Sequence, residues 1–321
     1  MTLRDVARAA GVSTASASRA LAGEGAVTTE LRARILAAAA RLRYVPNLAA
    51  RTLATRRSGL IGIVVRDLAD PLIANIVTAC ERKLAESACG VMLATTGASS
   101  EEILLATQAL LGRGAQALVF AEVDASAEVA RAMAARGVGW VSLSERESAV
   151  GAPSVSVGRR QGAILAARYL QSLGHCRFGV IALPDAAVAV RQLLTAASLA
   201  VEVLECGRDL DATRGALGRL LDGDEPPTAV ICASDEQALA ALRECALRNL
   251  AVPQRLSLIG FGDAEFARRS YPALSTVRVA AAEVGIRVAQ TILASLKGRE
   301  PPVTDVPVKL IARESTGPAL A

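Results

Sequence analysis

Aromatic side chains make up only 2% of this 321-residue chain: four Phe, three Tyr and one Trp. A binding cleft built from it has few flat faces on which a sugar ring could stack. There is one histidine, His175, after Gly174 between a predicted helix and a predicted strand, and it reads as structural. No uncharged apolar run reaches the length of a membrane span, and polar residues begin at once at the N-terminus, unlike a secretory leader. The six cysteines, Cys80, Cys89, Cys176, Cys206, Cys232 and Cys245, never form a C-x-x-C pair. They read as reduced core thiols of a cytoplasmic protein, with no metal or cofactor implied. The chain also lacks G-x-G-x-x-G, a P-loop and a G-x-S-x-G elbow, so nothing in it marks an enzyme. The acids of "DGDEPP" read as a solvated turn.

Lysine is missing from the first 57 residues, where ten arginines stand against three acids. That segment therefore carries +7 within a total of +5, leaving −2 for the rest of the chain. A basic head on a near-neutral body is the footprint of a nucleic-acid partner. The length allows more than one domain with substantial cores.

The head holds the stretch "RDVARAAGVSTASASRALAG". Leu3, Val6, Ala7 and Ala10 share a helical face, Thr2 precedes them, and Asp5 stands where a capping-box acid belongs. Gly11 suits a left-handed helix end, and Ser13 suits the start of a second helix with Ala17, Ala20 and Leu21 turned inward. That is the helix-turn-helix pattern. Its second helix presents Thr14, Ala15, Ser18 and Arg19 outward. Short side chains permit close approach to a groove, and one Arg can grip a guanine bidentately. A third helix is predicted over residues 28–42, with Val27, Leu31, Ile35 and Leu42 inward.

Next comes "RYVPNLAARTLATRRSGLIGIVV", followed in order by "LGHCRFGVI", "ICASDEQALAAL", "PQRLSLIGFGD" and "PALSTVR". With the head, these stretches make the chain resemble the lactose-repressor (galactose-repressor) family of bacterial transcription regulators over nearly its whole length. The resemblance implies an all-α helix-turn-helix head at 1–45 and a hinge helix and linker at 46–58. At 59–321 it implies an α/β body of two periplasmic-binding-protein-like lobes, each a doubly wound parallel sheet. It implies a repressor that binds a pseudo-palindromic operator in double-stranded DNA as a homodimer, controlled by a small metabolite in the interlobe cleft. Thr14, Ala15 and Arg19 then read bases. Ser13, Ser18 and Tyr44 hold phosphates, and Thr2 joins the DNA-contacting set. In the hinge, Asn47, Ala50 and Leu53 match a short minor-groove helix in which Leu53 acts as a wedge. Ala17 replaces the usual valine and Ala22 the usual asparagine. His175 matches a structural histidine of the family. The alternative of a solute-binding protein with the same cleft fold is opposed by the missing leader and the present head. No leucine heptad closes the chain at "RESTGPALA", so nothing suggests a helical tetramerisation module.

Beyond residue 58, apolar runs such as "LIGIVV", "GVMLAT", "ALVFAE", "GWVSLS", "FGVIAL", "AVEVLE", "AVICAS", "LSLIGF" and "DVPVKLIA" alternate with helical stretches at 73–89, 101–111, 161–173 and 235–247. Repeated βα units mean parallel sheets covered on both faces. The effector set implied by the family is Leu72, Ser144, Arg159, Arg191 and Asp235. Several of these depart from the family: Leu72 replaces an aromatic after Asp70 and Pro71, Gly158 and Arg159 replace Asp-Asn, and Ser144 replaces an acid. The lost acids and the gained arginine suggest an anionic effector, a sugar acid or organic acid, met by Arg191, with Asp235 accepting from its hydroxyls. The competing readings are an ordinary sugar held by backbone groups, a cleft that has lost its effector and, for Asp235, an N-cap of its helix.

Overall fold

A computed structural model describes residues 1–22, 27–45, 58–97, 99–144, 153–182, 191–192, 195–196, 200–207, 209–299 and 306–319. The chain divides into two compact units, Met1–Ser58 and Gly59–Ala321.

The first unit contains α1 (Leu3–Ala10), α2 (Thr14–Ala22) and α3 (Thr29–Arg41). Thr2 and Asp5 close a full capping box, with each side chain taking the other's backbone N–H. Gly11 ends α1 at φ 63°, a left-handed conformation that a side chain would strain, so the chain turns within two residues. Ser13 Oγ then accepts from Ser16 N at 3.1 Å, and Thr28 caps α3. Such caps contribute about 1 kcal/mol each. Val6, Ala7, Ala10, Ala17, Ala20 and Ile35 form the buried centre, and Leu3, Leu21, Val27, Leu31 and Leu42 pack against it.

The second unit holds two sheets. In the first lobe, β1 (Leu60–Val65), α4 (Pro71–Ala85), β2 (Gly90–Thr95), α5 (Ser100–Gly112), β3 (Ala117–Ala121), α6 (Ala127–Ala134), β4 (Gly139–Leu143) and β5 (Ser154–Val155) build a five-stranded sheet of order β2-β1-β3-β4-β5. All its pairs are parallel. The apolar run of β1 is explained by helices on both faces. The chain then enters the second lobe: α7 (Arg159–Ser172), β6 (Arg177–Ala182), β7 (Ala200–Glu205), α8 (Leu210–Leu221), β8 (Ala229–Cys232), α9 (Asp235–Leu247), β9 (Ser257–Gly262) and β10 (Ser275–Val279). There α10 (Ala281–Ser295) returns to cover the first lobe, and β11 (Val308–Ile311) adds the antiparallel edge of the order β11-β10-β9-β8-β6-β7.

The boundaries differ from expectation where capping decides them. Asp70 Oδ1 accepts from Leu72 N at 2.8 Å and Pro71 fills the first position, so α4 starts two residues early. Sequence reasoning missed the short β5, the strand β10 in "STVRV", and helices α6, α8 and α10. Among the described residues no helix is long and apolar enough to cross a membrane. All six cysteines are unbridged. Burial pushes the Cys80 thiol up to about 12, which leaves it inert at neutral pH.

His175 ties the second lobe together. Its Nδ1 lies 2.9 Å from Thr228 Oγ1, and its Nε2 lies 3.1 Å from Ser257 Oγ and 3.0 Å from Gly317 O. Burial lowers its pKa below the ordinary 6.5, although the Gly317 carbonyl works the other way. The folded state thus favours neutral imidazole, so the stabilisation is complete above the unfolded-state pKa and is lost as pH falls below it. The stability difference between wild type and His175→Gln should therefore shrink as pH drops from 7.5 to 5; an increase in that range would contradict the assignment.

The helix that joins the lobes makes the closest crossing. A Cβ on Gly285 of α10 would meet Ile76 O of α4 at 2.3 Å and Cys80 N at 2.8 Å. Backbone on both sides cannot yield as a side-chain tip can. Gly285→Ala should cost about 1–3 kcal/mol in chemical denaturation despite its better helix propensity. A more stable variant would show that the helices can separate freely.

Candidate nucleic-acid interface and interlobe site

On α2 the two faces are sharply divided. Ala17 and Ala20 are buried, while Thr14, Ala15, Ser18 and Arg19 are all exposed. Ala17 fits its place fully buried, so the smaller residue is absorbed by close α1–α2 packing. Arg4, Arg8, Arg19, Arg32, Arg34, Arg41 and Arg43 are exposed too, and the one ion pair among these described head residues is Arg8 with Asp5 at 4.0 Å. The head therefore offers positive charge to a partner. Ser13 is exposed and serves as the α2 cap. The Thr2 hydroxyl is held by Asp5 at 2.9 Å, and Tyr44 is half-buried against the head core. Asn47, Ala50, Leu53 and the Ala22 side chain lie outside the described residues.

Both sheets end at a shared cleft, where parallel α/β sheets hold their ligands. A cavity of about 340 Å³ opens there. Leu72 and Asn75 line it from α4, and Asp235, Asp263, Glu265 and Arg278 line it from the second lobe. Asp263 accepts from Arg278 Nε and from Arg313 Nη2, each at 2.5 Å. Burial opposes ionisation of Asp263, yet the hydrogen bonds from Arg313 and Arg278 outweigh it and hold the carboxyl below its ordinary range. Asp235 is almost fully buried; its Oδ1 accepts from Thr276 Oγ1 at 2.5 Å and its Oδ2 from Ala264 N at 2.6 Å. Burial pushes Asp235 up to about 6, against the pull of those two hydrogen bonds. Ser234, one residue earlier, caps α9 by accepting from Gln237 N at 3.2 Å. The N-cap reading of Asp235 is thereby corrected: it fastens the start of α9 to the loop after β9 and to the start of β10 at Thr276.

The expected anion site does not assemble. Arg159 is paired with Glu122 across the cleft and donates to Ala233 O at 2.9 Å, with its guanidinium 5.1 Å from the Phe261 ring centre. Its charge is already met. Arg191 is exposed and donates to Val203 O on β7, the strand at the far edge of the second sheet, at 2.8 Å. It does not line the cavity described above. Ser144 is half-buried just past β4, with its N–H on Val155 O at 3.2 Å. Of the five proposed effector residues, the cavity brings together Leu72 and Asp235. Sequence reading missed Asn75, Glu122, Asp263 and Arg278. Glu122 directly follows β3, so the carboxyl-end rule could have found it; Arg278 lies in β10, which was not recognised as a strand.

Residues 2–47 match the family model of bacterial regulatory proteins, lacI family, and residues 167–316 match a periplasmic binding protein-like domain. The HTH-type transcriptional regulator MalR of Streptomyces coelicolor is 30% identical over 340 residues, spanning 99% of this chain and 97% of the relative. The chain belongs to the LacI family of bacterial regulatory proteins. Like its relatives it is a transcriptional regulator with a DNA-binding head. The Lac repressor dimer bound to operator and the anti-inducer ONPF superposes with a TM-score of 0.84 at 26% identity, covering 99% of both chains. The CelR–cellobiose complex superposes at 0.72 with 27% identity, covering 98% of this chain and 99% of that one.

The Asp235 anchor predicts a stability effect. Asp235→Ala strands the Ala264 N–H and the Thr276 hydroxyl, which should cost about 1–3 kcal/mol by denaturant melts at pH 7. A smaller loss would mean that water replaces the carboxylate without penalty.

Proposed function

We propose that this regulator is a cytoplasmic repressor that binds a pseudo-palindromic operator as a homodimer and is controlled by a small metabolite in the interlobe cleft. The observation behind the operator reading is the outward face of α2, Thr14, Ala15, Ser18 and Arg19, on a head whose described arginines are exposed. Thr14, Ala15 and Arg19 read bases; Ser13, Ser18, Tyr44 and Thr2 hold the backbone; Asn47, Ala50 and Leu53 serve the minor groove. A two-fold dimer fits this mode because one head reads half a site. A groove of about 440 Å³ on the second lobe supports pairing, since Leu210, Leu239 and the 97% exposed Tyr271 line it. The Lac repressor neighbour is a dimer on its operator.

For the effector, the cleft argues against the anion suggested by sequence. Carboxylates of Asp235, Glu236, Asp263 and Glu265 line the cavity, and Arg278 is already bonded to Asp263. An anion entering there meets like charge, while hydroxyl groups can donate to these acceptors. A neutral polyhydroxylated molecule fits better than a sugar acid, in keeping with the cellobiose in the CelR complex.

Gel-shift titration tests the head. Arg19→Ala should weaken operator binding by about 1–3 kcal/mol and relax preference at one base pair in each half-site. Equal losses on operator and on a variant lacking that guanine would leave Arg19 a phosphate contact only. A thermal-shift screen tests the cleft, since a ligand at 100 times its Kd adds about 2.7 kcal/mol. Shifts from organic acids with none from neutral sugars would overturn the polyol reading.

A further inference from the structure

The carboxyl end of β9 has two unlike sides. Gly260 and Gly262 alternate with Phe261, so a Cβ on either glycine would face Asp235, while the Phe261 ring turns the other way, toward α7. On the Asp235 side lies the acid-lined cavity already described. On the α7 side a recess of about 40 Å³ opens between the start of α7 and the sheet, and Phe261 is a wall of both spaces. Val180 and Ala182 of β6, Ile231 of β8, Val277 of β10 and Ala163 of α7 line this recess. Gly162 lets α7 come close here, since a Cβ on it would meet the Phe261 ring at 2.7 Å.

The two spaces ask for different chemistry. Carboxylates surround the cavity, whereas the recess is lined almost wholly by apolar atoms. The polar groups at its rim are already engaged. Ala233 N–H donates to Ile181 O at 3.0 Å and to Gln237 Oε1 at 3.1 Å, and Ala233 O accepts from Arg159 Nη1 at 2.9 Å. The Arg159 guanidinium lies over the Phe261 ring and is paired with Glu122. A buried water makes about two to four hydrogen bonds, and few are on offer here. In size the recess suits one methyl group, given that a water molecule's share of the liquid is about 30 Å³.

We propose that the recess is a specificity subsite of the effector cleft: the bound polyol carries one compact apolar substituent, of methyl size, that crosses the end of β9 and seats against Phe261, Ala163 and Ala182. The proposal rests on the polyol reading of the cleft and adds the group that separates the effector from its fully hydroxylated counterpart. A hydroxyl placed there loses its water and gains no partner, whereas a methyl group gains by leaving water. The acid-lined cavity then selects for donors, and the recess selects against one further oxygen.

Calorimetric titration of the full-length chain with matched sugars tests this. The pairs are D-galactose with D-fucose, D-mannose with D-rhamnose, D-glucose with 6-deoxy-D-glucose, and each hexose with its two methyl glycosides. In a pair that binds, the methyl-bearing member should bind roughly fourfold more tightly, which is about 0.8 kcal/mol for one buried carbon. Ala163→Val, which fills the recess from α7, should abolish that preference. Ala182→Val fills it from β6 and gives the same reading if the first variant fails to fold. Hexoses that bind with no gain in any methyl-bearing partner overturn the subsite and leave the polyol reading standing. A preference that persists in both filled variants puts the methyl group elsewhere and overturns the subsite as well. If neither the hexoses nor their methyl-bearing partners bind, the polyol reading falls and the subsite falls with it.

Discussion

The body of this regulator depends on one helix crossing where backbone meets backbone. α10 leaves the second lobe's strand β10 and lies across α4 so closely that only glycine fits at position 285. One buried apolar cluster therefore runs without a break through both lobes, from Ile61 and Ile73 through Val288 and Ile292 to Phe178 and Ile259. A shared core of this size buries enough apolar surface to hold the two lobes together. It also directs the carboxyl ends of β1, β3, β8 and β9 toward one cleft. Everything chemical in the body follows from that placement, because loops at those ends are where side chains can be polar without breaking the core.

Charge is then distributed by what each region has to exclude or attract. In the head the arginines are left exposed, so their field reaches outward, where it steers a polyanion. In the cleft the same residue type is consumed internally: Arg159 by Glu122, Arg278 and Arg313 by Asp263. Counting arginines along the sequence therefore misleads about the cleft. Arg159 was read as a gain of positive charge, but its partner comes from a strand end 37 residues earlier. The carboxylates that remain are held by backbone N–H groups or hydroxyls as well as by arginine, as in Asp235 with Ala264 and Thr276. Such acceptors shape a site for donors.

The legible parts of the sequence were those governed by local rules. The capping box of Thr2 and Asp5, the left-handed Gly11 and the inward alanines of α2 all act within a few residues, and the structure shows each of them. Strands β1, β2 and β7 were bounded correctly because each is a continuous apolar or alternating run. What could not be read was set by distant contacts. α10 has a glycine in its middle, which weakens a helix pattern, and its reason for being there is Ile76 of another lobe. β10 carries the charged Arg278 in "STVRV", and the position is exposed within an otherwise buried strand. Arg191, expected at the effector, instead bonds the edge strand β7.

The two units also differ in what their small residues are for. In the body, Gly62, Gly162 and Gly260 stand where a Cβ would strike Leu118, Phe261 or Asp235, so smallness there serves packing density. In the head, Thr14, Ala15 and Ser18 are exposed, and no described neighbour requires them to be small. A solvated helix gains more from long charged residues, which favour helix and solubility. Short side chains at successive outward positions stabilise nothing in the isolated head. Their cost is repaid when the helix lies within contact distance of another surface, and the groove of a duplex has the width and charge for it.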